Sequence, residues 1–123
     1  MNTVQHVTEE TFDNALPETG IAVIDLSASW CGPCHTYAPI FENSAARHPH
    51  IRHLSLDVDE SPTIAERYNV MSVPTTLFIR DRLLIGGFPG VLHLSRIDDL
   101  INQTEQLNME DVKKALQNNK RGN

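Results

Sequence analysis

Residues 21–34 read IAVIDLSASWCGPC, a signal for a buried strand followed by a closely spaced pair of cysteines. Residues 21–26 are apolar except for Asp25, which is the pattern of a strand covered on both faces of its sheet. Beyond Cys31 and Cys34, apolar residues recur at helical spacing, at Tyr37, Ile40, Phe41 and Ala45. The sequence therefore places the cysteines at a turn from a buried strand into a helix.

The rest of the chain alternates strand and helix signals. Strands are predicted at 4–7, 51–58, 75–79 and 83–88, the last two forming a hairpin around Arg80-Asp81-Arg82. Further helices are predicted to begin at Thr8, at Ser61-Pro62 and at Ser95, where the serine caps the last one. This order predicts an α/β protein with a mixed sheet and helices on both faces.

Composition narrows the class of protein. The 123 residues are 40% hydrophobic and 21% charged, the balance of one folded domain. With a formal net charge of -6 and no basic stripe, nucleic-acid binding is not expected. Residues 1–10 lack the pattern of a secretory signal, and no run approaches the ~18 apolar residues of a membrane span, so a cytoplasmic protein is expected.

The spacing of the two cysteines favours redox chemistry. A structural disulfide stabilises mainly by closing a long loop, which this pair cannot do. A thiolate attacks disulfides, and Cys31 at the exposed entrance of a helix would have its thiolate favoured by free amide groups and the helix dipole. Cys34, one turn further in, can then attack the mixed disulfide while Pro33 restricts the turn. We predict Cys31 as nucleophile and Cys34 as resolving thiol.

The alternative for the cysteine pair is half of a zinc site. Such a site needs two more ligands, and the sequence offers only histidines. His48, His50 and His53 straddle a helix end and a strand, and we expect them to be solvated. Redox use is therefore favoured and no metal is expected.

Several motifs together resemble the thioredoxin family. Residues 30–34, Trp-Cys-Gly-Pro-Cys, match its active-site signature; Asp25 corresponds to its buried aspartate, Pro39 to its helix-kinking proline and Val73-Pro74-Thr75 to its cis-proline loop. The resemblance implies a thioredoxin fold, with a central mixed β-sheet of about five strands flanked by about four helices. We expect this domain at 1–107 and a helical or disordered extension at 108–123.

The resemblance also implies roles for individual residues. Asp25, in an apolar run, should be desolvated with a raised pKa and exchange a proton with Cys34, although a solvated carboxylate at a strand end is the alternative. An extended client segment would pair with the Val73 backbone beside the cysteines. The residues expected to shape this docking surface are Trp30, Gly32, Pro33, Val73, Pro74 and Gly90.

The expected activity is that of a monomeric protein-disulfide reductase that needs no bound cofactor. Its clients would be proteins that contain disulfides, and its own disulfide would be reduced by an NADPH-dependent thioredoxin reductase. The alternatives are a disulfide oxidase or isomerase, and a thioredoxin-like module that binds or chaperones a partner without catalysis.

Three positions depart from the family pattern. Ser27 stands where many family members carry a tryptophan, and Ser55 where they carry a lysine near the buried aspartate. His35 stands where the lysine after the second cysteine is usual. No lysine occurs before Lys113. His35 is therefore predicted to modulate the thiolate, because an imidazole is mostly uncharged at neutral pH where a lysine carries a full charge. The alternative is that His35 points into solvent and has little effect.

Overall fold

Within residues 4–121, a five-stranded mixed sheet and five helices form a thioredoxin fold. The computed structural model describes residues 4–121; residues 1–3 and 122–123, which belong to the predicted domain and extension, lie outside the described residues. The elements are β1 (Val4–Val7), α1 (Phe12–Ala15), β2 (Ile21–Ser27), α2 (Gly32–Arg47), β3 (Arg52–Asp57), α3 (Pro62–Arg67), β4 (Thr75–Arg80), β5 (Leu83–Pro89), α4 (Leu94–Gln106) and α5 (Met109–Arg121).

Strand β2 lies at the centre of the sheet. The sheet runs β1-β3-β2-β4-β5, with β2 parallel to β3 and antiparallel to β4. β1 and β3 are parallel, and β4 and β5 form the predicted hairpin. Because β2 has a neighbour on each side and helices on both faces, all of residues 21–26 are buried, as the apolar run predicted.

Alternation along β2 divides the core into two halves. Ala22, Ile24 and Leu26 pack with residues of α1 and α3, whereas Ile21 and Val23 pack with residues of α2 and α4. Successive side chains on a strand point to opposite faces. The side chain of Asp25 therefore lies on the face of the sheet that α2 covers. The two cysteines are at the N-terminus of α2 and so lie on the same face.

A row of polar residues crosses the sheet on this face. Asp25 pairs with Ser55 of β3 and with Thr76 of β4, and Ser55 pairs with His6 of β1. Residues directly paired in neighbouring strands point to the same face. The row thus leads from the buried centre of the sheet to β1 at its edge.

Two predicted helix starts are wrong. The first helix begins at Phe12, not at Thr8, whose backbone N–H donates to Thr11 Oγ1 at 2.9 Å and so holds a turn. The last helix of the domain begins at Leu94; its cap is His93, whose extended backbone places its carbonyl to accept from the amides of Arg96 and Ile97. Ser95 lies inside the helix.

The expectation that His53 is solvated is also wrong. On β3 it points to the α2 face, and it is fully buried. Burial is tolerated because both ring nitrogens are bonded: Nδ1–H donates to the Ile51 carbonyl at 3.0 Å, and Nε2 accepts from the Ser44 hydroxyl at 2.9 Å. His53 is therefore a core residue.

Residues 109–121 form α5, a helix of 13 residues within the segment expected to be helical or disordered. Most of its described side chains are exposed, including Leu116 at 39%. Over residues 4–121, none of the helices is long and apolar enough to cross a membrane.

Candidate active site

A disulfide between Cys31 and Cys34 lies at the N-terminus of α2. Cys31 is the capping residue, with an extended backbone, and its Sγ accepts a hydrogen bond from the Cys34 amide at 3.2 Å. Pro33 sits in the first turn, where its missing N–H costs nothing. After reduction, the same amide and the helix dipole would stabilise a thiolate on Cys31.

Exposure does not distinguish the two cysteines, contrary to the expectation that Cys31 is exposed. Cys31 is 4% exposed and Cys34 5%, because Ala28, Val58 and Val73 pack around them. What differs is what each sulfur faces. Cys31 Sγ lies 3.7 Å from the Val73 carbonyl oxygen, next to the surface loop, whereas Cys34 lines an inner cavity.

The loop opposite the disulfide has the shape that the resemblance implied. The Val73–Pro74 peptide bond is cis. The Pro74 carbonyl accepts from the Gly90 amide at 2.8 Å, which fastens the residue after β5 to this loop. Gly90 has a φ of +94°, a conformation that side chains disfavour, so glycine is required there.

An apolar surface lies on the outer side of the disulfide. Trp30 is 72% exposed, and its indole N–H donates to Asp59 Oδ2 at 2.8 Å, which fixes the ring beside Cys31. Met71, 87% exposed, shares a shallow groove with Trp30 and Val73. Sequence reasoning missed Met71, although its place two residues before Val73 was an available signal.

Asp25 is a buried carboxyl group with one oxygen that has no hydrogen-bond partner among the described residues. The residue is 5% exposed, and that oxygen is Oδ1. The nearby Tyr37 hydroxyl is bonded to Thr76 Oγ1 at 2.8 Å. Burial raises the pKa of Asp25 to about 7, because the charged form loses its hydration. The carboxyl can therefore exchange a proton near neutral pH.

A cavity of about 330 Å³ connects Asp25 and Cys34 with the surface. Ser55 and His6, the next residues in the polar row, line the same cavity. It is large enough for several water molecules, each of which needs about 30 Å³. Sequence reasoning did not find His6, since its place depends on strand register between distant segments.

The three departures from the family pattern all lie around this cavity. Ser27, Ser55 and His35 line it. The exposed His35 ring is turned toward the loop before Cys31, where Nε2–H donates to the Ser29 carbonyl at 2.9 Å. His35 is thus tethered and does not point freely into solvent.

The histidines considered as zinc ligands lie elsewhere. His48 bonds to Asp98 at 2.7 Å and His50 to Glu105 at 3.2 Å, on the side of α4, while His53 is buried in the core. Among the described residues, no group of three His, Cys, Asp or Glu side chains is arranged to hold a metal ion.

A disulfide at a strand-to-helix turn, facing a cis-proline loop on this sheet, defines the class of thioredoxin-fold thiol–disulfide proteins. A sequence model of the Thioredoxin family matches residues 3–103, and the chain belongs to that family. Relatives include a putative thioredoxin 2 of Streptomyces coelicolor, 30% identical over 94% of this chain and 87% of the relative. A thioredoxin of Chlamydia pneumoniae is 34% identical over 81% of this chain and 97% of its own.

A solved structure shares the fold. It comes from work on the thiol resolving mechanism in yeast mitochondrial 1-Cys peroxiredoxin via glutathione/thioredoxin systems. It aligns with a TM-score of 0.75 and 29% identity, covering 84% of this chain and 99% of the other. Thioredoxins are thiol–disulfide oxidoreductases, and the adjacent cysteine pair of this chain is consistent with that activity.

Proposed function

We propose that this protein is a protein-disulfide reductase. The observation that carries the proposal is the Cys31–Cys34 disulfide at the α2 N-terminus, flanked outside by the Val73–Pro74 loop and inside by Asp25. The outer side offers an apolar surface to a client. The inner side offers a group that can take up a proton.

In the first step a client segment lies against Trp30 and the Val73 backbone. The Cys31 thiolate attacks one client sulfur, so that a Cys31–client disulfide forms and the other client sulfur leaves as a thiolate. The proposed docking residues Gly32, Pro33, Pro74 and Gly90 complete this surface. Main-chain pairing makes binding tolerant of client sequence, since backbone groups are common to all clients.

In the second step Asp25 takes the proton of Cys34. The Cys34 thiolate attacks Cys31 Sγ, the Cys31–Cys34 bond forms, and the second client sulfur leaves as a thiolate. The electron pair has then passed from the two protein thiols to the client. A carboxyl group with a pKa of about 7 is matched to this transfer, because it is partly ionised at neutral pH.

The rest of the proposed cycle follows from the family. The disulfide is reduced by an NADPH-dependent thioredoxin reductase, and no bound cofactor is required. We infer a monomer, located in the cytoplasm, that takes part in electron transport and redox homeostasis. The catalytic domain comprises residues 1–107, and the segment 108–123 is an extension outside the catalytic unit.

Reduction of insulin by the purified protein, with dithiothreitol as electron donor, tests the proposal. We expect turbidity from the released insulin chains, and its loss in Cys31→Ser. Activity that survives Cys31→Ser would reject Cys31 as the nucleophile. No activity in the unmodified protein would reject a reductase and favour a binding or chaperone module. A Cys31–Cys34 couple that is far more oxidising than the glutathione pool would instead favour an oxidase or isomerase.

His35→Lys should lower the pKa of reduced Cys31 by roughly 0.3–0.7, since a permanent charge one helical turn away favours the thiolate. The effect is small because both solvent and salt screen an exposed group. Alkylation rates measured from pH 5 to 9 report the change. His35→Gln, which keeps a donor for Ser29 but adds no charge, is the control; profiles of His35→Lys and His35→Gln that superimpose contradict a modulating role.

A further inference from the structure

Asp25 can take the proton of Cys34 only when its own carboxyl group is ionised, and with a pKa of about 7 a large part of it holds a proton at neutral pH. Asp25 is only 5% exposed, and the cavity that it lines with Cys34 is its connection to the surface. Its Oδ1 has no hydrogen-bond partner among the described residues, and the Tyr37 hydroxyl is already bonded to Thr76. The proton must therefore leave through the cavity that Asp25 and Cys34 line.

The polar row across the sheet indicates the route that a proton would take through this cavity. Asp25, Ser55 and His6 occupy paired positions on β2, β3 and β1, and all three line the cavity. Neighbouring strands are about 4.8 Å apart, so Asp25 and His6 are separated by about 10 Å. That span is too long for direct transfer, but the Ser55 hydroxyl lies between them and can both accept and donate a proton.

His6 stands at the outer end of the row. Its Nδ1 lies 3.3 Å from Ser55 Oγ, and its Nε2 lies 3.4 Å from Glu60 Oε1. The side chain of His6 is 57% exposed and that of Glu60 59%. One ring nitrogen therefore faces the interior while the other faces a carboxylate at the surface. An imidazole so placed can take a proton on one nitrogen and release one from the other.

We propose that His6 is a positioning residue for proton transfer, passing the proton of Asp25 to solvent by way of Ser55 and cavity water. The Asp25 carboxyl releases its proton along the cavity, His6 Nδ1 gains one, and Nε2 gives one up at the Glu60 side. The carboxylate is then ready to take the proton of Cys34. This inference rests on the proposed role of Asp25 in the resolving step.

Other charged groups face the same cavity. Asp57 and Glu60 line it from the end of β3 and the turn that follows, and Glu42 and His35 line it from α2. His35 is bonded to Ser29 and lies on the side of Cys31, so that only His6 belongs to the polar row.

The two steps can be followed separately with dithiobis(nitrobenzoate). Attack by Cys31 releases one coloured thiolate, and attack by Cys34 on the mixed disulfide releases a second. In rapid mixing of the reduced protein, His6→Gln should slow the second phase about three- to tenfold at pH 7, a part of the 10²–10⁴-fold that general acid–base catalysis contributes. The first phase should be unchanged, and the pH profile of the second should flatten.

Matched variants separate a proton path from a structural effect. Added imidazole should restore the second phase of His6→Ala, because the side chain stands at the open end of the cavity. His50→Gln, which alters another exposed histidine–glutamate pair, should behave as the unmodified protein. If imidazole does not restore the second phase of His6→Ala, His6 has a structural role and the proposal is wrong.

Asp25→Asn distinguishes failure of this inference from failure of the proposed function. If Asp25→Asn slows the second phase while His6→Gln matches the unmodified protein in rate and pH profile, the reductase mechanism stands and the His6 path is wrong. If Asp25→Asn leaves the second phase unchanged, the role of Asp25 itself is wrong, and the path from it falls as well.

Discussion

Cys34→Ser should accumulate a stable disulfide between Cys31 and the client, with turnover lower by at least about 10³-fold. Release normally depends on intramolecular attack by Cys34, and well-placed intramolecular groups act at effective concentrations of about 10⁵ M or more. External thiols at millimolar concentration cannot replace such a group. Trapped clients can be separated on non-reducing gels and identified after reduction.

The two cysteines are expected to have different roles because their sulfur atoms face different surroundings, although both are buried to the same degree. Cys31 lies beside the Val73 carbonyl and the docking surface, and its sulfur accepts a hydrogen bond from the Cys34 amide. Cys34 lines the cavity with Asp25, where its proton can be removed. An attacking thiol must reach a client, and a resolving thiol must lose a proton inside the protein. These requirements assign the two roles.

Cys31→Ser is the matched control, because it leaves Cys34 as the single thiol of the chain. We expect it to capture less than about one tenth of the client bound by Cys34→Ser, as its thiol lacks the capping position that favours a thiolate. Equal capture by the two variants would show that the roles are reversed or shared.

Asp25→Asn should stabilise the oxidised protein by about 2–4 kcal/mol at pH 8 and have almost no such effect at pH 3.5. In the folded protein burial raises the pKa of Asp25 from its ordinary value of 3.8 to about 7. At about 1.4 kcal/mol per pKa unit, ionising this carboxyl costs about 4 kcal/mol of stability. Asparagine removes that cost but keeps a polar group, which is why the lower part of the range is included.

The direction of the pH dependence follows from proton binding. Between pH 3.8 and about 7 the unfolded chain has released the proton of Asp25, whereas the folded protein still holds it. Stability therefore falls as pH rises through this window, and the full loss is present above about pH 7. Urea unfolding at several pH values measures the free energy of unfolding directly. A difference between the two proteins that does not change with pH would contradict the raised pKa.

Asp98→Asn provides a control of opposite sign. Partial burial acts to raise the pKa of Asp98, but hydrogen bonds from His48 and Arg47, both at 2.7 Å, outweigh it and hold the pKa below its ordinary value. This carboxylate stabilises the folded state above pH 3.8, and that stabilisation is lost as pH falls. Asp98→Asn should therefore destabilise the protein at pH 8.

Much of the candidate site was encoded in local sequence. The pair Cys31 and Cys34 before a helical pattern placed two thiols at a helix N-terminus, because strand and helix periodicities are properties of short segments. The apolar run around Asp25 predicted its burial for the same reason. The resemblance to the thioredoxin family supplied the cis bond at Pro74, which no local pattern dictates.

Tertiary structure decided the features that depend on contacts between distant segments. Register between β1, β3 and β2 brings His6 into line with Asp25, and a shift of one residue would turn His6 to the opposite face. Packing of Ala28, Val58 and Val73 makes the two cysteines equally buried. Burial of His53 in the core is tolerated because Ser44 and the Ile51 carbonyl bond to its two ring nitrogens. Each outcome is set by strand pairing and side-chain packing across the fold, which the periodicity of a single segment does not specify.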